Sequence, residues 1–98
     1  MASFLLLKFP GLTVQHYQAV NERLGIEVGT GKGDWPAGLL SHAAGINDDG
    51  TAVVAEVWES REAQGRFMED RLGAALAGAG VPAPSSVEWT DLEAYVTP

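Results

Sequence analysis

Ninety-eight residues suffice for one hydrophobic core and leave no room for a second, and a chain 46% apolar and 19% charged can bury that core. Thirteen acidic against six basic residues give a net charge of -7, which argues against a nucleic-acid partner, because phosphate binding needs a basic face. The absence of cysteine excludes disulfides, thiolate metal clusters and a cysteine nucleophile. One domain spanning 1–98 is expected, in a cytoplasmic protein.

At the N-terminus, the apolar run Phe4–Leu7 is too short for a targeting segment and is interrupted by Lys8, and no stretch approaches the length of a membrane span. Ser3–Phe9 therefore reads as a strand, closed by Pro10-Gly11. Thr13 is placed to cap a helix running to about Leu24, with Val14, Tyr17, Val20 and Leu24 on one apolar stripe and Asn21, Glu22 and Arg23 outward or at its edge. Gly25 suits its stop. Residues 26–38 read as a long irregular connection. Its Gly29-Thr-Gly-Lys-Gly33 lacks the Ser/Thr and the following helix of a phosphate loop, so it reads as a flexible segment, with Trp35 either a lid over a cavity or an anchor.

Leu39–Ile46 and Thr51–Glu59 follow as strands around Asn47-Asp48-Asp49-Gly50, good chemistry for a type I turn with Gly50 left-handed. Ser60 caps a longer helix whose buried stripe is Ala63, Phe67, Met68, Leu72, Ala75 and Leu76. Gly78, Gly80, Pro82 and Pro84 lead into a last strand, roughly Ser86–Val96. The order β-α-β-β-α-β predicts an α+β, ferredoxin-like fold: a four-stranded antiparallel sheet with two helices on one face. The first strand is apolar on both faces, so a second copy is expected to cover the open one, as a homodimer.

A three-residue hairpin loop pairs His42 with Glu56, Leu40 with Trp58 and Ala44 with Val54, whereas a two-residue loop would shift the register and break this cluster. Leu39, Ser41, Ala43, Gly45, Val53, Ala55 and Val57 are small and read as the face for close helix packing, which puts His42, Glu56 and Trp58 on the face away from the helices. In a mostly apolar cavity, a carboxylate that fixes the imidazole tautomer leaves the other nitrogen free to take a proton from a ligand. His42 is thus the candidate general base, Glu56 its orienting partner and Trp58 a wall. Leu40, Trp35 and Tyr95 are further candidate ligand contacts. The alternative is that His42 and Glu56 merely satisfy each other. His16 and His42 stand on different elements, so no metal site is expected, and no serine sits in a nucleophile elbow.

The opening Phe-Pro-Gly-Leu-Thr (9–13) with Tyr17, and the blocks Gly-Leu-Leu-Ser-His (38–42), Asp-Asp-Gly (48–50) and Val-Trp-Glu-Ser-Arg-Glu-Ala (57–63), resemble the dimeric α/β-barrel superfamily across essentially the whole chain. Within it, the chain is similar to small actinobacterial members related to antibiotic-biosynthesis monooxygenases. The resemblance implies a ligand cavity between sheet and helices or at the barrel centre. It also implies a cofactor-independent enzyme acting on an aromatic or polyketide-like small molecule, whose own carbanion reduces oxygen. Because the superfamily also contains plain binding proteins, a non-catalytic ligand-binding or accessory barrel is the alternative.

Overall fold

A computed structural model describes residues 1–98. In chain order the elements are β1 (Ser3–Pro10), α1 (Val14–Leu24), β2 (Ile26–Glu27), β3 (Lys32–Gly33), β4 (Leu39–Ile46), β5 (Thr51–Trp58), α2 (Arg61–Phe67), a π turn (Met68–Leu72), α3 (Gly73–Gly78) and β6 (Ser86–Asp91). Local chemistry sets the helix ends. Thr13 Oγ1 accepts the His16 N–H at 3.1 Å while His16 Nδ1 accepts the Thr13 N–H at 3.3 Å, a reciprocal cap that satisfies two otherwise orphaned donors. Gly25, at φ 73°, ends α1 in the left-handed region. Ser60 Oγ accepts the Ala63 N–H at 3.1 Å and starts α2. From there α2, the π turn and α3 follow one another without a break. No helix is long and apolar enough to cross a membrane.

The four long strands pair antiparallel in the order β4-β5-β1-β6, the α+β ferredoxin-like arrangement expected from the element order. The hairpin between β4 and β5 has the three-residue loop: Asn47 donates its N–H to the Thr51 carbonyl at 2.9 Å, and Gly50 donates to the Asn47 carbonyl at 2.9 Å. The Thr51 N–H bonded to the Asp49 carboxylate holds the Asp49 pKa below the usual range and braces the turn. His42 accordingly stands opposite Glu56, and Ala44 opposite Val54.

Several local expectations are corrected. A β-bulge between Leu39 and Ser41 places Leu39, not Leu40, opposite Trp58. The last strand stops at Asp91, and the connection after α1 contains the small β2–β3 ladder. In α1, Val14 is exposed while Asn21 is buried.

The largest correction concerns facing. Leu5, Leu7, Phe9, Val54 and Trp58 share the core with Val20 and Leu24 of α1, Ala63 and Phe67 of α2, and Ala75 and Leu76 of α3. His42, Glu56 and Trp58 therefore lie on the sheet face toward the helices, not away from it. Bulky side chains fill the gap between sheet and helices: Trp58 and Leu5 are completely buried. The small residues Ala43, Gly45, Val53 and Ala55 belong to the opposite face. Register fixes which residues share a face, but strict alternation gives both faces equal standing until the helices choose one.

Candidate functional site

The central hairpin and α1 bring four polar side chains together in a mainly apolar layer. Trp58 Nε1–H donates to Glu56 Oε1 at 3.0 Å. Indole nitrogen is a donor only, so this oxygen must accept. The other carboxylate oxygen, Oε2, accepts from His42 Nδ1–H at 2.8 Å. With its proton on Nδ1, the neutral imidazole turns the lone pair of Nε2 toward α1, where the Tyr17 hydroxyl donates to it at 2.6 Å. The result is a four-member chain, Tyr17–His42–Glu56–Trp58, whose donations converge on the Glu56 carboxylate, from Tyr17 through His42 on one side and from Trp58 on the other. Glu56 is 7% exposed and Trp58 fully buried, so the bond between them lies where low polarisability strengthens it and where losing one partner is costly, while the two bonds of His42 are partly buried.

The sequence reading brings His42, Glu56 and Trp58 together across one hairpin, and the structure has that juxtaposition. Trp58, however, is completely buried and lines neither cavity that His42 lines, so it braces Glu56 and is not the expected ligand wall. The structure adds two residues that the reading left out of the site. Tyr17 had been assigned to the buried stripe of α1, and its hydroxyl end marks the boundary between that stripe and the cavity. Its ring stacks on His42 with an interplanar angle of 8°. Burial pushes the Tyr17 pKa above the usual phenol value; the nearby Asn21 amide pulls it back and the Glu56 charge adds to the rise. At neutral pH Tyr17 therefore remains a phenol with a proton to donate. Asn21 is one turn further along α1, buried and lining the same cavity, yet its Nδ2 has no hydrogen-bond partner. The amide comes close enough to Tyr17 for a hydrogen-bonding influence that lowers its pKa, but Nδ2 makes no hydrogen bond of ordinary length and angle. The spacing from Tyr17 to Asn21 was the available signal, since residues four apart share a helix face.

Trp35 packs its ring against His42 at 5.6 Å between centroids and donates Nε1–H to the Gly31 carbonyl at 3.0 Å. Its loop is tied down at the base. Arg71, in the π turn, donates to the Leu24 carbonyl at 2.8 Å and the Asp34 carbonyl at 2.6 Å, and meets the Asp34 carboxylate at 3.3 Å. Leu40 and Tyr95 are not brought into the inner cavity. The bulge turns Leu40 outward, leaving it 42% exposed, while Leu39 takes the inner position. Tyr95 lies beyond the end of β6, 39% exposed, its hydroxyl 3.5 Å from the Leu40 carbonyl.

The inner cavity, about 70 Å³, lies between sheet and helices and is lined by Tyr17, Asn21, His42 and Glu56 among aliphatic and aromatic side chains. Tyr17, Trp35, Leu39 and His42 also line an outer cleft of about 520 Å³, and Leu40, although outside the inner cavity, lines that cleft with them. The inner space takes on the order of a few water molecules or a small organic group. A fused-ring molecule needs the outer cleft as well.

No protein-family model matches the chain, and no curated protein matches it in sequence. Solved structures match its fold. Rv0793 from Mycobacterium tuberculosis superposes with a TM-score of 0.69 at 16% identity, over 99% of this chain and 100% of that one. A protein of Chloroflexus aurantiacus J-10-fl, provisionally assigned as an antibiotic biosynthesis monooxygenase, gives 0.67 at 16% identity over 99% and 98%. A monooxygenase from ActVA-Orf6 of Streptomyces coelicolor, in complex with the ligand Nanaomycin D, gives 0.59 at 25% identity over 99% and 92%. The fold is thus that of antibiotic-biosynthesis-monooxygenase-like ferredoxin-fold proteins, actinobacterial ones included.

Proposed function

We propose that this chain is a small enzyme, one domain per subunit and homodimeric, that oxygenates an aromatic or polyketide-like molecule without a cofactor. The observation that supports this most directly is the Tyr17–His42–Glu56 hydrogen-bond chain bordering an apolar cavity, with Trp58 bracing the carboxylate from behind. The ligand-bound monooxygenase with the same fold supports it independently. Tyr17 takes the substrate proton on its oxygen as it passes its own to His42 Nε2. The imidazolium is then stabilised by Glu56, which Trp58 holds in place. His42 is the base at one remove, and Tyr17 is the group that meets the ligand. The substrate carbanion adds molecular oxygen and, after protonation, the hydroperoxide loses water to leave a carbonyl. One oxygen atom enters the product and the other leaves as water. Trp35 and Leu39 form walls shared by the inner cavity and the outer cleft, where the bulk of a fused-ring substrate lies.

The first test is oxygen uptake with a tricyclic anthrone as substrate, in buffer treated with chelator. Uptake is expected in the unaltered protein and should fall by about 10²–10⁴-fold in His42→Ala, the usual contribution of a general base. A second reading, a non-catalytic ligand-binding barrel, is favoured by one feature: both His42 ring nitrogens already have partners. Anthrone binding without oxygen consumption would establish that reading and overturn the enzymatic one.

A further inference from the structure

The direction of hydrogen bonding in the relay has a consequence for what the cavity binds. Indole nitrogen can only donate, so Glu56 accepts from Trp58 and again from His42 Nδ1–H, and His42 Nε2 in turn accepts from Tyr17. The Tyr17 proton is thereby committed to His42, and what Tyr17 Oη retains toward its remaining surroundings is an acceptor. Asn21 lies one turn along the same helix. Its Nδ2 can only donate, is fully out of contact with solvent, and has no partner. An unpaired donor so deeply buried is costly, and native interiors seldom keep one unless something fills it.

We propose that Asn21 Nδ2 and Tyr17 Oη form a hydroxyl-binding subsite in the inner cavity, for a ligand bearing one hydroxyl on an apolar body: an alcohol, a phenol or an enol. A hydroxyl satisfies both groups at once, donating its hydrogen to Tyr17 Oη and accepting from Asn21 Nδ2. A carbonyl answers only Asn21 and sets two acceptors against each other at Tyr17. An ammonium group, with no lone pair, answers only Tyr17 and sets its hydrogens against the Asn21 amide. A carboxylate brings a second negative charge near Glu56 into a mostly apolar space. The remaining lining is chiefly apolar, including Leu7, Val20, Leu24 and Phe67, which suits the body of such a ligand. Asn21 is here a binding and positioning residue. The proposal rests on reading this cavity as a ligand site, but not on turnover.

The test is binding, at pH 8. Phenol and toluene, nearly equal in shape, are the first pair of probes; cyclohexanol and cyclohexanone are the second. In the unaltered protein, phenol is expected to shift the Asn21 side-chain amide signals in the ¹⁵N NMR spectrum while toluene leaves them in place, and cyclohexanol is expected to bind more tightly than cyclohexanone. In Asn21→Leu, the ratio of phenol to toluene affinity should fall by at least about tenfold, the loss of one buried hydrogen bond. The proposal is overturned if phenol binds without moving the Asn21 amide, if phenol does not bind, if cyclohexanone binds as tightly as cyclohexanol, or if the ratio is unchanged in the variant. Should Asn21→Leu not fold, the readings on the unaltered protein decide. Hydroxyl selectivity without oxygen uptake would remove the oxygenase reading and keep the subsite. Oxygen uptake without hydroxyl selectivity would do the reverse.

Discussion

At the scale of single residues, the site depends on Tyr17 remaining protonated. Burial opposes the phenolate, and the Glu56 charge across His42 opposes it further, outweighing the help from Asn21. The folded chain therefore holds the Tyr17 proton to higher pH than the unfolded chain does. Between the ordinary phenol value of 10.0 and the raised folded value, the native state binds more protons, so stability must fall as pH rises through that window. Below it the contribution is fully present. Tyr17→Phe should flatten this alkaline loss of stability in denaturant titrations and remove a near-ultraviolet tyrosinate step above pH 10. An unchanged alkaline profile in the variant would mean that the phenol is not desolvated in the way the structure has it.

At the scale of elements, the entry to β4 matters most, because it sets where His42 and Leu39 stand. Gly38 has a φ of 90°, and a Cβ there would come within 2.7 Å of the Ala63 Cβ on α2. Its carbonyl accepts the Glu59 N–H at 2.7 Å, which ties the start of β4 to the end of β5 just before the bulge. Backbone and neighbour thus both require glycine. Gly38→Ala should destabilise the fold by about 1–3 kcal/mol, the usual range for a strained left-handed residue. The shift in urea midpoint would measure it, and a change below a few tenths would show that the entry to β4 relaxes freely. At the far end of the hairpin the demand is different. Gly50, at φ 86°, meets nothing within 4 Å, so only the turn conformation requires it.

On the scale of the whole molecule, the sheet has two unlike faces. One is filled by the helices and the polar relay. The other carries Phe4, Leu6, Val53, Ala55 and Val57 across β1 and β5, of which Phe4, Leu6, Val53 and Ala55 stay partly exposed in the single chain. A patch of small, aliphatic and aromatic side chains on an open sheet face is suited to the same patch on a second copy related by a twofold axis. We expect sedimentation to give a dimer at micromolar concentration, and the paired change Leu6→Glu and Val53→Glu to give a folded monomer. A monomer from the unaltered chain would leave this face bare and overturn the dimer. The relay itself lies within one chain, so a folded monomeric variant should keep the His42–Glu56 contact.

How much of this was legible beforehand divides by the range of the interaction. The helix caps at Thr13 and Ser60, the Asn47–Gly50 turn and the apolar stripe ending at Leu24 rest on neighbours a few residues away. So did the pairing of His42 with Glu56, because a hairpin register follows from its loop. The direction in which that pair points did not follow. Period-two alternation defines two faces without ranking them, and only the packing of α1, α2 and α3 over Trp58 and Leu5 selected one. The bulge that moved Leu40 outward was equally hidden, because no turn residue between Leu39 and Ser41 marks it. Asn21 was the least visible of all: polar, in a helix, and read as lying outward or at an edge. Its burial, and the approach of Tyr17 to His42 at 2.6 Å, required α1 to settle on the sheet at one rotation and one height, a choice made by contacts between segments far apart in the chain.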